Sequence, residues 1–270
     1  MISVVARIVI SVFAALSLSA TALDFSSADA LFEQRELGAV KIAEARRAYT
    51  TDLTNLNGAE KVYAVEQLAR LDYFEGLTLG NNGNKETRKA IYQRCLDTLD
   101  EHISPAKIGP NPQYYYWKAS CLALWGNANG ISASLGKIPD LLRLINDGLQ
   151  LDTRYEGGGL FRLASAVYLK IPEIFGGGVE KSINFNNRAL ASEAFPDSKD
   201  PATATGDYFY NVYDQRAQAL AKKGRKDEAI ALLSEAIERV DAGDLPFGRE
   251  PETRLHRRDI EETLASLRSM

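Results

Sequence analysis

Residues that bind metals or act as nucleophiles are scarce in this chain. Its 270 residues include two histidines and two cysteines, and the sequence contains no HExxH, CxxC, Gly-x-Ser-x-Gly or Walker motif. Those motifs mark common metallopeptidase, thiol-redox, hydrolase and nucleotide-hydrolysing sites. Their absence predicts a protein that is not an enzyme and has no metal site, no cofactor and no catalytic residue. The alternative is an enzyme in which a pair of carboxylates acts as in a glycosidase.

Neither sign of charge dominates the chain. It carries 32 Lys and Arg against 36 Asp and Glu, for a net charge of −4. Because the two signs are mixed along the sequence, there is no basic footprint typical of nucleic-acid binding. There is no polybasic patch for a membrane surface either. We therefore expect no nucleic-acid partner.

Long apolar runs are also missing, apart from one at the N-terminus. Residues 8–18 are apolar, Arg7 precedes them, and small residues follow at positions 20–22. This pattern is typical of a secretory signal peptide, and the run is shorter than the roughly 20 residues of a membrane span. We predict a signal peptide at residues 1–22 and a periplasmic domain at residues 23–270, with an uncleaved anchor as the alternative. No cysteine at the boundary would carry a lipid.

One spacing of large and small residues recurs along the rest of the chain. Its clearest copy is Tyr213, Ala217, Leu220 and Gly224, and a second amphipathic helix begins near Asp227. This pattern resembles a tetratricopeptide repeat, in which two helices pack as a pair. The other copies are Tyr115, Ala119, Leu122 and Gly126; Phe161, Ser165, Tyr168 and Pro172; and, more weakly, Asp72, Gly76, Leu79 and Gly83.

These copies predict an all-α fold. It would be a tetratricopeptide-like helical repeat solenoid of about four degenerate helix pairs, with further helices near residues 28–49 and 251–267. The repeats exceed the usual length of about 34 residues, and extra residues follow Gly126 and Pro172. Both insertions fall between the two helices of a pair, so they should project from one edge and form a binding face. The alternative is variation in loop length without function.

A series of short motifs follows in a fixed order between residues 110 and 195. They are Trp125-Gly126, Ser134-Leu135, Leu151-Asp152 with Tyr155, Gly157-Gly158, Arg162, Tyr168 with Lys170 and Pro172, and Gly176-Gly177. In this order they resemble the T component family of tripartite ATP-independent periplasmic (TRAP) transporters. Three features depart from the family pattern: Thr153 replaces a proline, Ala164-Ser165 replaces Leu-Gly, and the lipidation cysteine is missing.

The resemblance implies a helical scaffold with a hydrophobic, ligand-accessible cleft or pore. It also implies a periplasmic solute-binding protein as partner, and it leaves a homo-oligomer possible. The missing lipid anchor weakens the link to a transporter complex more than it weakens the fold.

Aromatic residues are the first candidates for a ligand site. Tyr114 and Trp117 lie on faces of their helix other than the repeat face of Tyr115, and Trp125 follows two turns later. Such side chains line pockets for apolar or ring-bearing ligands. The alternative is that they pack between the repeats.

Arg162 is the candidate for binding an anion. It follows the glycine triplet that begins at Gly157, where free N–H groups at a helix start favour negative charge. A carboxylate could bind Arg162 with two hydrogen bonds. The alternative is a buried salt bridge from Arg162 to Asp152 or Glu156. Lys170, at the end of the helix, is most simply a surface residue that complements the helix dipole.

Together these patterns predict a periplasmic binding or scaffold protein that binds a small apolar or organic-acid ligand and docks a solute-binding protein. The alternative is an envelope adaptor that binds a protein or peptide and no small ligand. A closed apolar channel ringed by Trp117, Trp125 and Tyr168 would favour the first, and an open polar groove the second. The predicted ligand-binding residues are Tyr114, Trp117, Trp125, Asn127, Gly157, Gly158, Arg162, Tyr168 and Lys170.

The two cysteines stand on consecutive predicted helices. Cys95 and Cys121 lie almost equally far from a turn near Ile108, so they would stand at the same height in an antiparallel pair. An oxidising compartment permits a disulfide there. However, Cys121 takes a small inward position at which a free thiol packs well. We favour two buried thiols, with the disulfide as the alternative.

Overall fold

The structure is a computed structural model that describes residues 24–80, 83–191, 210–244 and 249–270. The predicted signal peptide at residues 1–22 lies outside these ranges. Within them every regular element is a helix, which confirms the all-α prediction. None of the helices described there combines the length and the apolar character that spanning a bilayer requires.

The helices follow one another with short connections. In chain order they are α1 (Ser26–Phe32), α2 (Ala39–Thr50), α3 (Gly58–Thr78), α4 (Lys85–His102), α5 (Pro105–Ile108), α6 (Pro112–Asn129), α7 (Ile131–Ser134), α8 (Ile138–Leu151), α9 (Tyr155–Lys170), α10 (Val179–Leu190), α11 (Asn211–Lys222), α12 (Lys226–Asp241) and α13 (Glu250–Ser269). Short 3-10 helices occupy Arg35–Leu37, Leu135–Lys137 and Glu173–Phe175.

The predicted helix pairs correspond to contacting helices. The pairs are α3 with α4, α6 with α8, α9 with α10, and α11 with α12. Gly76, Ala119, Ser165 and Ala217, the small residues of the repeat, are all buried. Small side chains are needed there because the second helix packs closely; a Cβ atom on Gly76 would collide with the ring of Tyr92. The tetratricopeptide-like class of this repeat stays a prediction.

The repeat turn of the last pair shows how the chain reverses between helices. Gly224 has a φ of +75°, a left-handed conformation that glycine adopts without a steric penalty. The N–H of Arg225 then donates to the carbonyl of Leu220 at 3.0 Å. A glycine at this position therefore ends α11 and lets α12 begin at once.

Both predicted insertions lie between the helices of a pair. The first contains α7 and the 3-10 helix Leu135–Lys137, between α6 and α8. It is held to α6 by Ser134, whose hydroxyl donates to the carbonyl of Gly126 at 3.0 Å. The second contains the 3-10 helix Glu173–Phe175, between α9 and α10. The insertions are thus structured segments.

A disulfide joins α4 to α6. Cys95 and Cys121 are bonded, their Cα atoms lie 6.3 Å apart, and both residues are fully buried. The favoured prediction of two free thiols is therefore wrong. The alternative prediction, a disulfide, is correct. Cys95 and Cys121 are almost equally distant from the turn between α4 and α6, so they stand at the same height and close enough for the bond.

Two large hydrophobic clusters hold the helices together. The first extends from α1 to α9 and includes Trp117 and Leu160, and the second joins α11, α12 and α13 around Leu233 and Ile260. A small third cluster of Phe161, Ala189 and Val212 connects α9, α10 and α11. The candidate site lies where the first two clusters face each other.

Candidate functional site

A cavity of about 1000 Å³ lies between the helices of the first hydrophobic cluster and those of the second. On one side its lining residues come from α3, α4, α6, α8 and α9, and on the other side from α11 and α13. The first insertion contributes Ser134, Leu135 and Lys137. Helices far apart in sequence thus build one internal space.

The lining of this cavity combines apolar and basic side chains. Leu122, Leu163 and Val167 are among the apolar residues. Among the described residues of the lining, the acidic ones are Asp214, Asp259 and Glu262. The basic ones described there are more numerous: Lys85, Arg88, Lys137, Arg162, Lys170, Lys222 and Arg258. Since the whole chain has a net charge of −4, the cavity is a basic region within an acidic protein.

Glu156 and the first two glycines of the triplet form a left-handed turn at the start of α9. Glu156, Gly157 and Gly158 have φ values of 54°, 57° and 73°. Glycine tolerates this conformation, whereas a residue with a side chain such as Glu156 adopts it at a cost. A Cβ atom on the next residue, Gly159, would collide with the ring of Tyr116. The triplet therefore makes a turn and a close approach to α6.

Arg162 holds this turn in place. Its guanidinium donates to the carbonyl of Gly157 at 2.5 Å and to that of Glu156 at 2.6 Å, and the residue is 2% exposed. Burial lowers the pKa of Arg162. The predicted salt bridge to the carboxylate of Asp152 or Glu156 is wrong in detail. Asp152 accepts instead from the N–H of Arg154 at 2.7 Å.

The carboxylate of Glu156 belongs to a buried network of charges. It pairs with Arg249, and both side chains are nearly inaccessible. Nearby, Arg35 pairs with Glu252 at 2.7 Å. A small pocket of about 30 Å³ lies beside these groups and is bordered by His256, whose pKa is lowered to about 4 by burial. This network joins the 3-10 helix Arg35–Leu37, the start of α9 and α13.

Lys170 is the predicted residue with the least explained environment. Its ammonium forms no hydrogen bond or ion pair with any residue that the structure describes. The side chain is exposed in the open space of the cavity, and the protein atoms on its other side lower its pKa by partial burial. Asp214 raises this pKa, while Arg88 and Lys222 lower it further.

Asp214 faces Lys170 from α11. Its carboxylate accepts hydrogen bonds from Thr263 at 2.6 Å and from Gln218 at 2.8 Å. Burial nevertheless raises the pKa of Asp214 to about 6, helped by the negative charge of Asp259. Within the described residues, the buried side-chain oxygens of Asn211 and Gln215 in the same lining have no hydrogen-bond partner. Unpaired buried polar atoms are unusual and suit a bound ligand or water.

Three of the predicted site residues line the cavity: Asn127, Arg162 and Lys170. Gly157 and Gly158 form the turn behind Arg162, and the half-buried Trp125 does not reach the lining.

The remaining predicted aromatic residues pack within the protein. Trp117 donates to the hydroxyl of Tyr155 at 3.1 Å. Tyr114 donates to Asp100 at 2.8 Å, and Tyr168 stacks on Phe185 with ring centroids 5.2 Å apart. The expected ring of Trp117, Trp125 and Tyr168 therefore does not surround the cavity.

The residues that the sequence did not indicate come from distant helices. Tyr73 and Tyr116 are the tyrosines that line the described part of the cavity, and α4, α11 and α13 add Arg88, Lys222 and Arg258. No motif marks these positions, because each stands among ordinary charged residues of an amphipathic helix. Tyr116 lies next to the predicted residue Trp117, in the aromatic run Tyr114-Tyr115-Tyr116-Trp117.

Comparison of this chain with protein-family models and with curated proteins finds no match.

Proposed function

We propose that this protein is a periplasmic, tetratricopeptide-like binding protein. Its central cavity would hold a small, partly apolar organic acid, and the protein would dock a solute-binding protein in TRAP-type uptake. The observation that carries the proposal is the cavity of about 1000 Å³. Ligand pockets for small molecules measure roughly 300–1,000 Å³, so the space suits one small molecule.

The chemistry of the lining supports an organic acid. Leu163 and Val167 offer apolar surface, and basic residues outnumber acidic ones in the described part of the lining. An apolar ligand gains free energy from burial, at about 25 cal/mol per Å². A carboxylate group would in addition reduce the repulsion among the cations.

The proposal is tested by identifying what the protein carries. The chain is expressed with its own N-terminus, purified from the periplasm under native conditions and examined by native mass spectrometry. We expect a non-covalently bound organic acid that is lost after denaturation and refolding. Two negative results together would contradict a ligand function: the purified protein holds no bound molecule, and no organic acid of a screened set raises its melting temperature.

A matched pair of variants places the ligand in the cavity. Ala166 lines the cavity on α9, so Ala166→Trp should occupy part of the cavity beside Leu163 and Val167 and weaken ligand binding. Ala265 is exposed on α13 and outside the lining, so Ala265→Trp should bind as the unmodified protein does. Equal binding by both variants would place the ligand elsewhere.

An envelope adaptor is the second candidate, and one observation favours it. Ile174 and Phe175, on the second insertion, are 86% and 55% exposed. Neighbouring exposed apolar residues are common at protein interfaces. The test is capture of a partner protein in the periplasm by the unmodified chain. Loss of this partner with Ile174→Ser and Phe175→Ser, together with its retention by Ala166→Trp, would show docking that is independent of the ligand.

A further inference from the structure

Within the described residues, the exposed ammonium of Lys170 has no hydrogen-bond or ion-pair partner. At the end of α9 a lysine would normally donate to the last helical carbonyls. Those carbonyls already have donors: Lys222 donates to Leu169 at 2.8 Å, and the N–H of Gly178 donates to Tyr168 at 2.9 Å. Lys222 thus performs the task that the sequence suggested for Lys170.

We propose that Lys170 is the anchor of an anion-binding subsite in the cavity, which binds the carboxylate of an amphipathic acid such as a medium-chain fatty acid. This inference rests on the proposed function, because it assigns the ligand class of the same cavity. Lys170 would donate directly to the carboxylate, and the positive charges of Arg88 and Lys222 would add to the attraction.

The charges around Lys170 favour an added anion. The positive charges of Arg88 on α4 and Lys222 on α11 both lower the pKa of Lys170. On the same side Asp214 is the opposing charge, and Thr263 and Gln218 already donate to its carboxylate. On α13, Asp259 lies 3.5 Å from Arg258. A ligand carboxylate would therefore add a second negative charge, beside Asp214, to a part of the cavity that holds Lys170, Arg88 and Lys222.

The apolar surface beside Lys170 has the shape required for a chain. Leu163, Ala166 and Val167 line the cavity and lie on the face of α9 that ends at Lys170, since residues three and four apart share a helix face. From Leu163 to Lys170 the helix rises about 10 Å, at about 1.5 Å per residue. A medium-chain acid with its head at Lys170 can lie along this stripe.

The test compares binding of decanoate, the neutral decan-1-ol and inorganic phosphate by isothermal titration calorimetry at pH 7.5. We expect the unmodified protein to bind decanoate more tightly than decanol. Lys170→Met should weaken decanoate binding about tenfold or more, since a hydrogen bond to a charged group contributes about 1.5–3 kcal/mol. Its decanol binding should stay unchanged.

The control is Lys107→Met, which removes an exposed lysine of α5 that lies outside the cavity lining. It should leave decanoate affinity unaltered. Lys170→Gln, which keeps a polar side chain, provides the same comparison if the methionine variant does not fold. In NMR titrations of the unmodified protein, decanoate should raise the pKa of Lys170, and decanol should not.

The outcomes separate the two proposals. Equal affinity for decanoate and decanol, unaltered by Lys170→Met, would overturn the anion subsite and leave the cavity as an apolar ligand site. Binding of neither compound, with no effect of Ala166→Trp on any ligand, would overturn the proposed function itself. If phosphate binds tightly, competes with decanoate and requires Lys170, the carboxylate subsite is overturned and the group that Lys170 binds is a phosphate.

Discussion

Single residues decide the conformation of the chain at the wall of the cavity. Arg162 donates to two carbonyls of a left-handed turn in which Glu156 and two glycines have positive φ. Such a turn is costly for residues other than glycine and persists only where surrounding contacts hold it. The role of Arg162 is therefore to hold the turn, even though its side chain reaches the lining.

Replacement of Arg162 should mainly reduce stability. Arg162→Ala leaves two buried carbonyls without donors, so we expect the free energy of unfolding to fall by about 2–4 kcal/mol. Urea denaturation measures this loss. Arg143→Ala, at an exposed i,i+3 ion pair, should change it by less than about 0.5 kcal/mol. A lost ligand affinity in a variant of unaltered stability would instead assign Arg162 to the ligand.

Asp214 should make stability depend on pH. Its pKa is raised to about 6 by burial, whereas an unfolded aspartate titrates near pH 4. The folded state therefore holds a proton more tightly than the unfolded state, and the contribution of Asp214 to stability falls as pH rises from about 4 to about 6.

Asp214→Asn removes this titration, so the stability of the variant relative to the unmodified protein should increase over that interval. Urea denaturation at intervals from pH 4 to pH 7 measures the difference, in which titrations common to both proteins cancel. A difference that is constant with pH would show that Asp214 titrates normally.

At the scale of elements, the disulfide fastens the second helix of one repeat to the first helix of the next. Cys95 and Cys121 are 26 residues apart, and closing a loop of that size stabilises a protein by about 3 kcal/mol. The connection between α4 and α6 includes the short α5, so the bond limits how far the two repeats can separate.

Reduction should therefore lower the free energy of unfolding by about 3 kcal/mol. Thiol counting on the unfolded protein should find no reactive thiol before reduction and two after it. The double replacement Cys95→Ala and Cys121→Ala should have the stability of the reduced protein, and reductant should leave it unaltered. Two reactive thiols before reduction would exclude the bond.

For the whole molecule, buried ion pairs join the two ends of the described chain. Arg35 pairs with Glu252 across 217 residues of sequence, and both side chains are buried. Close by, Glu36 and Arg254 form an exposed pair between the same two segments. These pairs couple the 3-10 helix between α1 and α2 to α13, which forms part of the cavity wall.

The two ion pairs should make very different contributions to the free energy of unfolding. Arg35→Ala leaves the charge of Glu252 buried without this partner, so we expect a loss of about 3–5 kcal/mol in the free energy of unfolding. Glu36→Ala breaks an exposed pair and should cost about 1 kcal/mol or less. Chemical denaturation of both variants provides the comparison. Equal losses would show that burial does not set the contribution of Arg35.

The amino-acid sequence by itself determined the helices and their pairing. Ala217 and Gly224 belong to a spacing that acts within one helix pair, and it correctly located α11 and the turn before α12. Gly76 and Ser165 did the same for earlier pairs. Local patterns suffice here because helix periodicity, glycine turns and close packing all operate over a few residues.

Only the tertiary structure decided which side chains meet. The cavity brings Arg88, Lys170, Asp214 and Arg258 together from four helices, and no local spacing encodes that encounter. The predicted aromatic residue Trp117 packs inward instead, because the choice between core and cavity depends on how the helices pack against one another. Helices are specified by neighbouring residues, whereas a site between repeats is specified by the relative placement of whole elements.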